Sequence, residues 1–107
     1  MKAFEARTTA GPTTAEPAHT VVLLSGDCDL SVRDRMTAVL LAAVDDAPVV
    51  AVDLARVTFM DSSGLHALVT AHHSAQRRGR RLYVRGATGV VSALLDLTGL
   101  AGVLSRD

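Results

Sequence analysis

The segment Asp61-Ser62-Ser63-Gly64-Leu65 is the part of this sequence best equipped for chemistry: two hydroxyls beside a carboxylate, between a strand-like apolar run and a helix-like one. A helix N-terminus carries unpaired backbone N–H groups and the positive end of the helix dipole, so it accommodates an anion. Ser63 at such a place has two readings. Its hydroxyl can cap the helix, as serine commonly does. Alternatively it can accept a phosphoryl group, which adds about −1.5 to −2 charges near pH 7. The helix end would tolerate that charge, while any partner docked on the loop would meet it directly, which suits a switch acting through binding and not through refolding.

Other reactive residues assemble less well. His66, His72 and His73 lie on the following helical run, but His66 and His72 are six apart and fall on different sides of a helix, with no cysteine or carboxylate cluster to complete a metal site. Asp61, Ser63 and His66 lack the Gly-x-Ser-x-Gly elbow and a third group to orient the histidine, so a hydrolytic triad is not expected. His72 reads as a partly buried helix residue and His73 as a solvated one. Arg77-Arg78-Gly79-Arg80-Arg81 is the one basic cluster. It reads as a solvated helix end suited to the dipole, because aromatic stacking residues are missing nearby. Cys28 reads as a small half-buried hydrophobe.

The elements that must position this loop follow from periodicity. Residues 2–8 alternate and predict an edge strand, and residues 9–18, with two prolines and a glycine, predict a long loop. Thr20–Leu24 predicts a buried strand. Ser31, with Asp34 three residues on, predicts an N-cap for a helix whose stripe is Val32, Met36, Val39, Leu40, Ala43 and Val44. Val49–Leu54 predicts a second buried strand. A second helix from Ser62 carries Leu65, Leu68, Val69, His72 and Ala75 and closes at Gly79. Leu82-Tyr83-Val84 predicts a short strand, Thr88-Gly89 the start of a third helix closed by Gly99, and Val103-Leu104 a last short strand. The order β-β-α-β-α-β-α-β implies right-handed crossovers and a mostly parallel sheet covered on much of both faces. Functional crevices in such sheets lie beyond the carboxyl ends of the strands, which places Gly26–Asp29 and Phe59–Gly64 at one edge.

Composition bounds the function. The 107 residues predict one domain, 1–107, and 49% of them are hydrophobic, with two phenylalanines, one tyrosine and no tryptophan, so the core must be aliphatic. Eleven basic and eleven acidic side chains balance, which gives no global basic excess for nucleic acid. One cysteine cannot form an internal disulfide and fits a reducing compartment. No signal peptide or membrane-length apolar run is evident, so a cytoplasmic protein with no membrane partner is expected.

Three segments in register carry a family resemblance. Val57-Thr58-Phe59-Met60 followed by Asp61–Leu65 resembles the phosphorylation loop of bacterial anti-sigma-factor antagonists, which are STAS domains. Gly26-Asp27-Cys28-Asp29-Leu30 resembles the family's early Gly-Glu-Leu/Ile-Asp segment, and Leu94–Leu100 its late helix and turn. The resemblance runs from about residue 20 to residue 104. It implies an α/β, STAS-like fold: a four- to five-stranded mixed sheet flanked by three or four helices. It also implies a non-enzymatic interaction module without cofactor or metal, binding an anti-sigma factor that is itself a serine kinase. That kinase would phosphorylate Ser63 and so release the complex, and a serine phosphatase would restore it. Asp27, Asp29, Asp61, Ser62, Gly64 and Leu65 are the implied contact surface, the chain being a monomer or weak dimer. An unphosphorylated STAS scaffold or accessory subunit, in a stress-signalling complex or lipid transport, is the alternative within the family. A nucleotide or small-molecule sensor is the alternative outside it. The sequence departs from the pattern at Asp27, where glutamate is usual, and at Cys28, where an aliphatic residue is usual. It departs also in the length of the 9–18 loop and in a final helix that is absent or very short.

Overall fold

The computed structural model describes residues 2–10 and 19–105. In chain order it contains β1 (Glu5–Ala10), β2 (His19–Cys28), a 3-10 turn (Leu30–Val32), α1 (Arg33–Asp46), β3 (Val49–Met60) and α2 (Ser62–Arg77). These are followed by β4 (Arg81–Arg85), α3 (Gly89–Leu97) and α4 (Leu100–Val103). The four strands form one mixed sheet in the order β1-β2-β3-β4. β1 runs antiparallel to β2, with Glu5 opposite Ser25 and Ala10 opposite Thr20. β2, β3 and β4 are parallel, with Val22 opposite Val52 and Val50 opposite Leu82.

Two successive right-handed crossovers moving in one direction place α1 and α2 on the same face of the sheet, where they pack against each other. The predicted stripes supply the core there. Met36, Leu40, Ala43 and Val44 of α1 and Leu68, Ala71 and Ala75 of α2 are buried with Val22, Leu24, Val50, Val52, Leu54 and Leu82 of the strands. Each fully buried aliphatic side chain stabilises the fold by about 1.5–3 kcal/mol. With so few aromatics available, the core depends on many such contributions of similar size.

Several expectations are corrected by the chain's own hydrogen bonding. Val103-Leu104 is not a strand. Gly99, at φ 74°, reverses the chain, and Leu104 N–H closes a helical turn onto the Leu100 carbonyl at 2.9 Å. Leu104 is nevertheless fully buried, and its carbonyl accepts the Val84 N–H at 2.8 Å, a single bond on the outer side of β4. A two-residue apolar run cannot distinguish the two outcomes by periodicity. Ser31 does not cap α1 in a capping box: it lies inside the 3-10 turn, which Asp29 caps, and α1 starts two residues later without a side-chain cap. The strand predicted over Val49–Leu54 continues to Met60, because two register shifts absorb the extra residue at Leu54-Ala55 and then Thr58 without ending the pairing with β2. β1 is displaced to 5–10, so Thr9 and Ala10 of the predicted loop are strand, while the remainder of that loop, 11–18, lies outside the described residues. Finally, cover on both faces is incomplete. β2 alternates between buried and more exposed positions, and Leu23 on the face away from α1 and α2 is 37% exposed.

Candidate functional site

The carboxyl ends of β2 and β3 lie side by side, with Asp27 opposite Phe59 and Cys28 opposite Met60. The two segments singled out by sequence therefore share one edge, as parallel pairing requires, but they are less loop than expected: β2 does not stop at Leu24, and Gly26–Cys28 and Phe59–Met60 are the last paired residues of β2 and β3. They are joined directly by Asp61 N–H donating to the Cys28 carbonyl at 3.3 Å.

Asp61 is the N-cap of α2. Its backbone is extended (φ −117°, ψ −168°), and its Oδ1 accepts N–H bonds from Ser63 at 2.8 Å and Gly64 at 3.4 Å. The Leu65 N–H closes the first turn onto the Asp61 carbonyl at 3.1 Å. Capping is thus done by the aspartate, and neither serine is needed for it. Ser62 is exposed and Ser63 half-buried. Among the described residues no hydrogen bond holds the Ser63 hydroxyl, while its amide is fixed by Asp61. The result is a hydroxyl without a structural partner on a backbone held by the Asp61 cap at the helix N-terminus. Asp61→Ala should cost about 1–2 kcal/mol through loss of the cap. Thermal unfolding would show this as a lowered midpoint, whereas Ser62→Ala should leave the midpoint nearly unchanged.

The remaining acids have distinct duties. Asp29 caps the 3-10 turn through Oδ1, which accepts the Ser31 N–H at 3.0 Å and the Ser31 hydroxyl at 2.6 Å. Asp27 is tied inward. Its Oδ1 accepts the Thr58 hydroxyl at 2.7 Å, its Oδ2 accepts the Lys2 N–H at 3.2 Å, and its own N–H donates to the Lys2 carbonyl at 3.1 Å. Asp27 therefore fixes the N-terminal segment and the end of β3 beside the loops. Gly26, at φ 82°, allows that segment to pass: a Cβ there would lie 2.0 Å from the Ala3 carbonyl oxygen. Gly64 and Leu65 of the implied contact surface are both buried, Gly64 because α2 presses against the ends of β2 and β3, and Leu65 because it joins the core. Sequence reasoning missed two contact-ready residues at the same edge, Leu30 at 65% and Phe59 at 43% exposed. Their signal was large apolar side chains inside the two loop motifs.

Cys28 is fully buried. Burial, and then the charges of Asp27, Asp29 and Asp61, push its thiol up from the ordinary 9.0 to about 12. The thiol is therefore protonated and unreactive at neutral pH. A raised acid pKa means that the folded state keeps a proton the unfolded state loses. Stability should therefore fall as the pH rises from about 9 to about 12 through this group. Denaturant titrations of the parent and Cys28→Ala across that window would check the slope, and native Cys28 should resist alkylation until unfolding. The same three carboxylates make the edge acidic.

The histidines do not join this site as a cluster. His72 is buried in α2 with Nδ1 3.3 Å from the Leu82 carbonyl, to which it donates. His66 and His73 are exposed. No group of three or more His, Cys, Asp or Glu side chains is placed to hold a metal among the described residues. In the basic cluster, Arg78 pairs with Asp45 and Arg80 donates to the Asp45 carbonyl at 3.0 Å, at the end of α1. No helix among the described residues is long and apolar enough to cross a membrane.

A mixed four-stranded sheet with a capped Asp-Ser-Ser-Gly helix start beside a strand that ends in Gly-Asp-Cys-Asp defines a class of small α/β domains. The family model described as "Mlab, STAS domain" matches residues 13–105, and the chain belongs to the STAS domain family. Among curated relatives, the anti-sigma-B factor antagonist of Listeria monocytogenes is 28% identical over 87 residues, 80% of this chain and 76% of that protein. Among solved structures, an anti-sigma factor antagonist from Mycobacterium paratuberculosis superposes with a TM-score of 0.77 at 22% identity, covering 96% of this chain and 87% of that one. The unphosphorylated form of the antagonist SpoIIAA gives 0.71 at 19% identity, covering 94% and 84%. These two likenesses establish the fold.

Proposed function

We propose that this protein is an anti-sigma-factor antagonist, a cytoplasmic non-catalytic binding module that docks an anti-sigma factor with serine kinase activity and is released when that kinase phosphorylates Ser63. The observation that supports it best is the division of labour at the start of α2. Asp61 supplies the cap, so the Ser63 hydroxyl is left without a structural partner on a backbone that cannot move far. The name of the Listeria relative points the same way. Ser62, Asp29, Asp61, Leu30 and Phe59 form the contact surface, with Asp27, Gly64 and Leu65 holding it in shape. A phosphate on Ser63 would stand beside the carboxylates of Asp29 and Asp61, adding charge to an edge that is already acidic. The partner surface that fits the unmodified edge, apolar opposite Leu30 and Phe59, would then face a desolvated dianion. A serine phosphatase would reverse the change.

The test is incubation with ATP and the cognate anti-sigma factor, followed by site-mapped mass spectrometry and binding measurements. Phosphate should appear on Ser63 and not in Ser63→Ala, and the phosphoprotein should bind about tenfold or more weakly. Phosphate on neither serine, with binding intact, would make the chain an unswitched STAS docking subunit.

A further inference from the structure

A groove of about 590 Å³ crosses β1, β2 and β3, with no lining residue from the Gly26–Asp29 or Phe59–Leu65 segments, and is lined by Arg7, Leu23, Ser25, Ala55 and Arg56 among others. From its construction we infer that it binds a small organic anion, a carboxylate or phosphate carried on a short apolar body.

The register places the parts. Glu5, Ser25 and Arg56 lie in one row across the sheet, and Arg7, Leu23, Asp53 and Arg85 in the next. Between the pairs Leu23–Asp53 and Ser25–Arg56, β3 advances one residue more than β2. Such a bulge locally bends the strand and interrupts the ladder, and here it opens the sheet surface at Ala55. Leu23, 37% exposed, is the apolar floor. The volume falls within the range of about 300–1,000 Å³ usual for small-molecule sites, which combine an apolar lining with a few placed polar groups.

The charges around the floor are not balanced internally. Asp53 is turned to its own strand and to β4: its Oδ1 accepts the Ala55 N–H at 2.9 Å and its Oδ2 pairs with Arg85 at 3.4 Å. Arg35, at one end, donates to the Phe4 carbonyl at 3.2 Å and lies over the Phe4 ring. The guanidinium groups of Arg7 and Arg56 have no ion pair or hydrogen bond among the described residues, and the Ser25 hydroxyl has none either. Glu5 is the one remaining carboxylate in the lining, against two guanidinium groups on opposite sides of Leu23 and Ser25. An anionic head between Arg7 and Arg56, near the Ser25 hydroxyl, with its apolar body on Leu23 and Ala55, would complete both the charge and the uncovered surface. Guanidinium groups suit carboxylate and phosphate alike through paired N–H donors.

The experiment is an NMR titration of the full chain with 4-phenylbutyrate and with phenyl phosphate, using 4-phenylbutan-1-ol as the uncharged control. Either anion should shift amides confined to residues 5–7, 23–25 and 55–56, the stronger of the two identifying the head group. The alcohol should bind at least about tenfold more weakly, and Arg7→Ala and Arg56→Ala should each weaken the anion about tenfold at unchanged melting temperature. Equal binding of the alcohol, shifts elsewhere on the molecule, or no shifts with either anion at millimolar concentration would overturn the assignment. Because Ser63 is not among the residues that line the groove, the Ser63→Ala protein should titrate identically, which separates this inference from the proposed function.

Discussion

Gly64→Ala should lower the unfolding free energy by about 2 kcal/mol, even though alanine is the better helix former by about 1 kcal/mol. The reason is space. A Cβ at this position would lie 2.7 Å from Met60 Cγ and 2.8 Å from the carbonyl oxygen of Cys28. The methionine side chain can yield, but the Cys28 oxygen belongs to the backbone of β2 and also accepts the Asp61 N–H. Relief therefore requires α2 to move off the strand ends, loosening Asp61's cap and the placement of Ser63 together. For a domain of this size the midpoint should fall by roughly 10 °C. Gly79→Ala is the informative control. Gly79 has φ 67° but nothing within 4 Å of a Cβ, so the substitution meets only the left-handed backbone penalty of about 1–2 kcal/mol and leaves the Ser63 loop undisturbed. Equal melting of Gly64→Ala and the parent would show that the close approach of α2 to β2 does not exist in solution.

What was legible in the sequence was whatever short-range pattern decides. The 3.6-residue stripes at Met36, Leu40 and Val44 and at Leu65, Leu68, His72 and Ala75 fixed both long helices and their buried faces, and Gly79 and Gly99 ended helices because left-handed backbone is theirs to adopt. The loop pair was legible too, since parallel strands deliver their C-terminal loops to one edge. The cap was not. Asp61, Ser62 and Ser63 are three good N-cap residues in succession, and which one sits half inside the helix is decided by where β3 ends, through the Asp61–Cys28 bond. Asp27's role was hidden for a different reason, because its partners Lys2 and Thr58 are 25 and 31 residues away. Leu30 and Phe59 were passed over as contacts because apolar residues are assigned to the interior by default, although much of any protein surface is apolar. The strand assigned to Val103-Leu104 failed because burial alone does not specify secondary structure.

Leu68→Ala should be the most damaging of the substitutions considered, at about 3–4 kcal/mol. Leu68 is fully buried, one helical turn beyond Gly64 on α2, in a core whose neighbours Leu40, Val52, Leu54 and Leu82 are close-packed aliphatics. Truncation removes transfer energy and leaves a cavity that these branched side chains cannot fill without moving strands. Domains of this size are stable by only about 5–15 kcal/mol, so the loss takes a large part of the total and should appear as a drop of 12 °C or more, roughly, in midpoint. The effect on function should differ in kind. Leu68 is fully buried and presents no surface at the Ser63 edge, so at a temperature where the variant remains folded its affinity for the anti-sigma partner should stay within about threefold of the parent. Leu30→Ala, on an exposed turn, should leave the midpoint alone and weaken binding by about tenfold. Chemical denaturation paired with calorimetric titration of both variants measures the two quantities separately. If Leu68→Ala weakened partner binding while folded, the docking surface would extend into the packing of α2, and the separation between a rigid support and an exposed acidic edge would not hold.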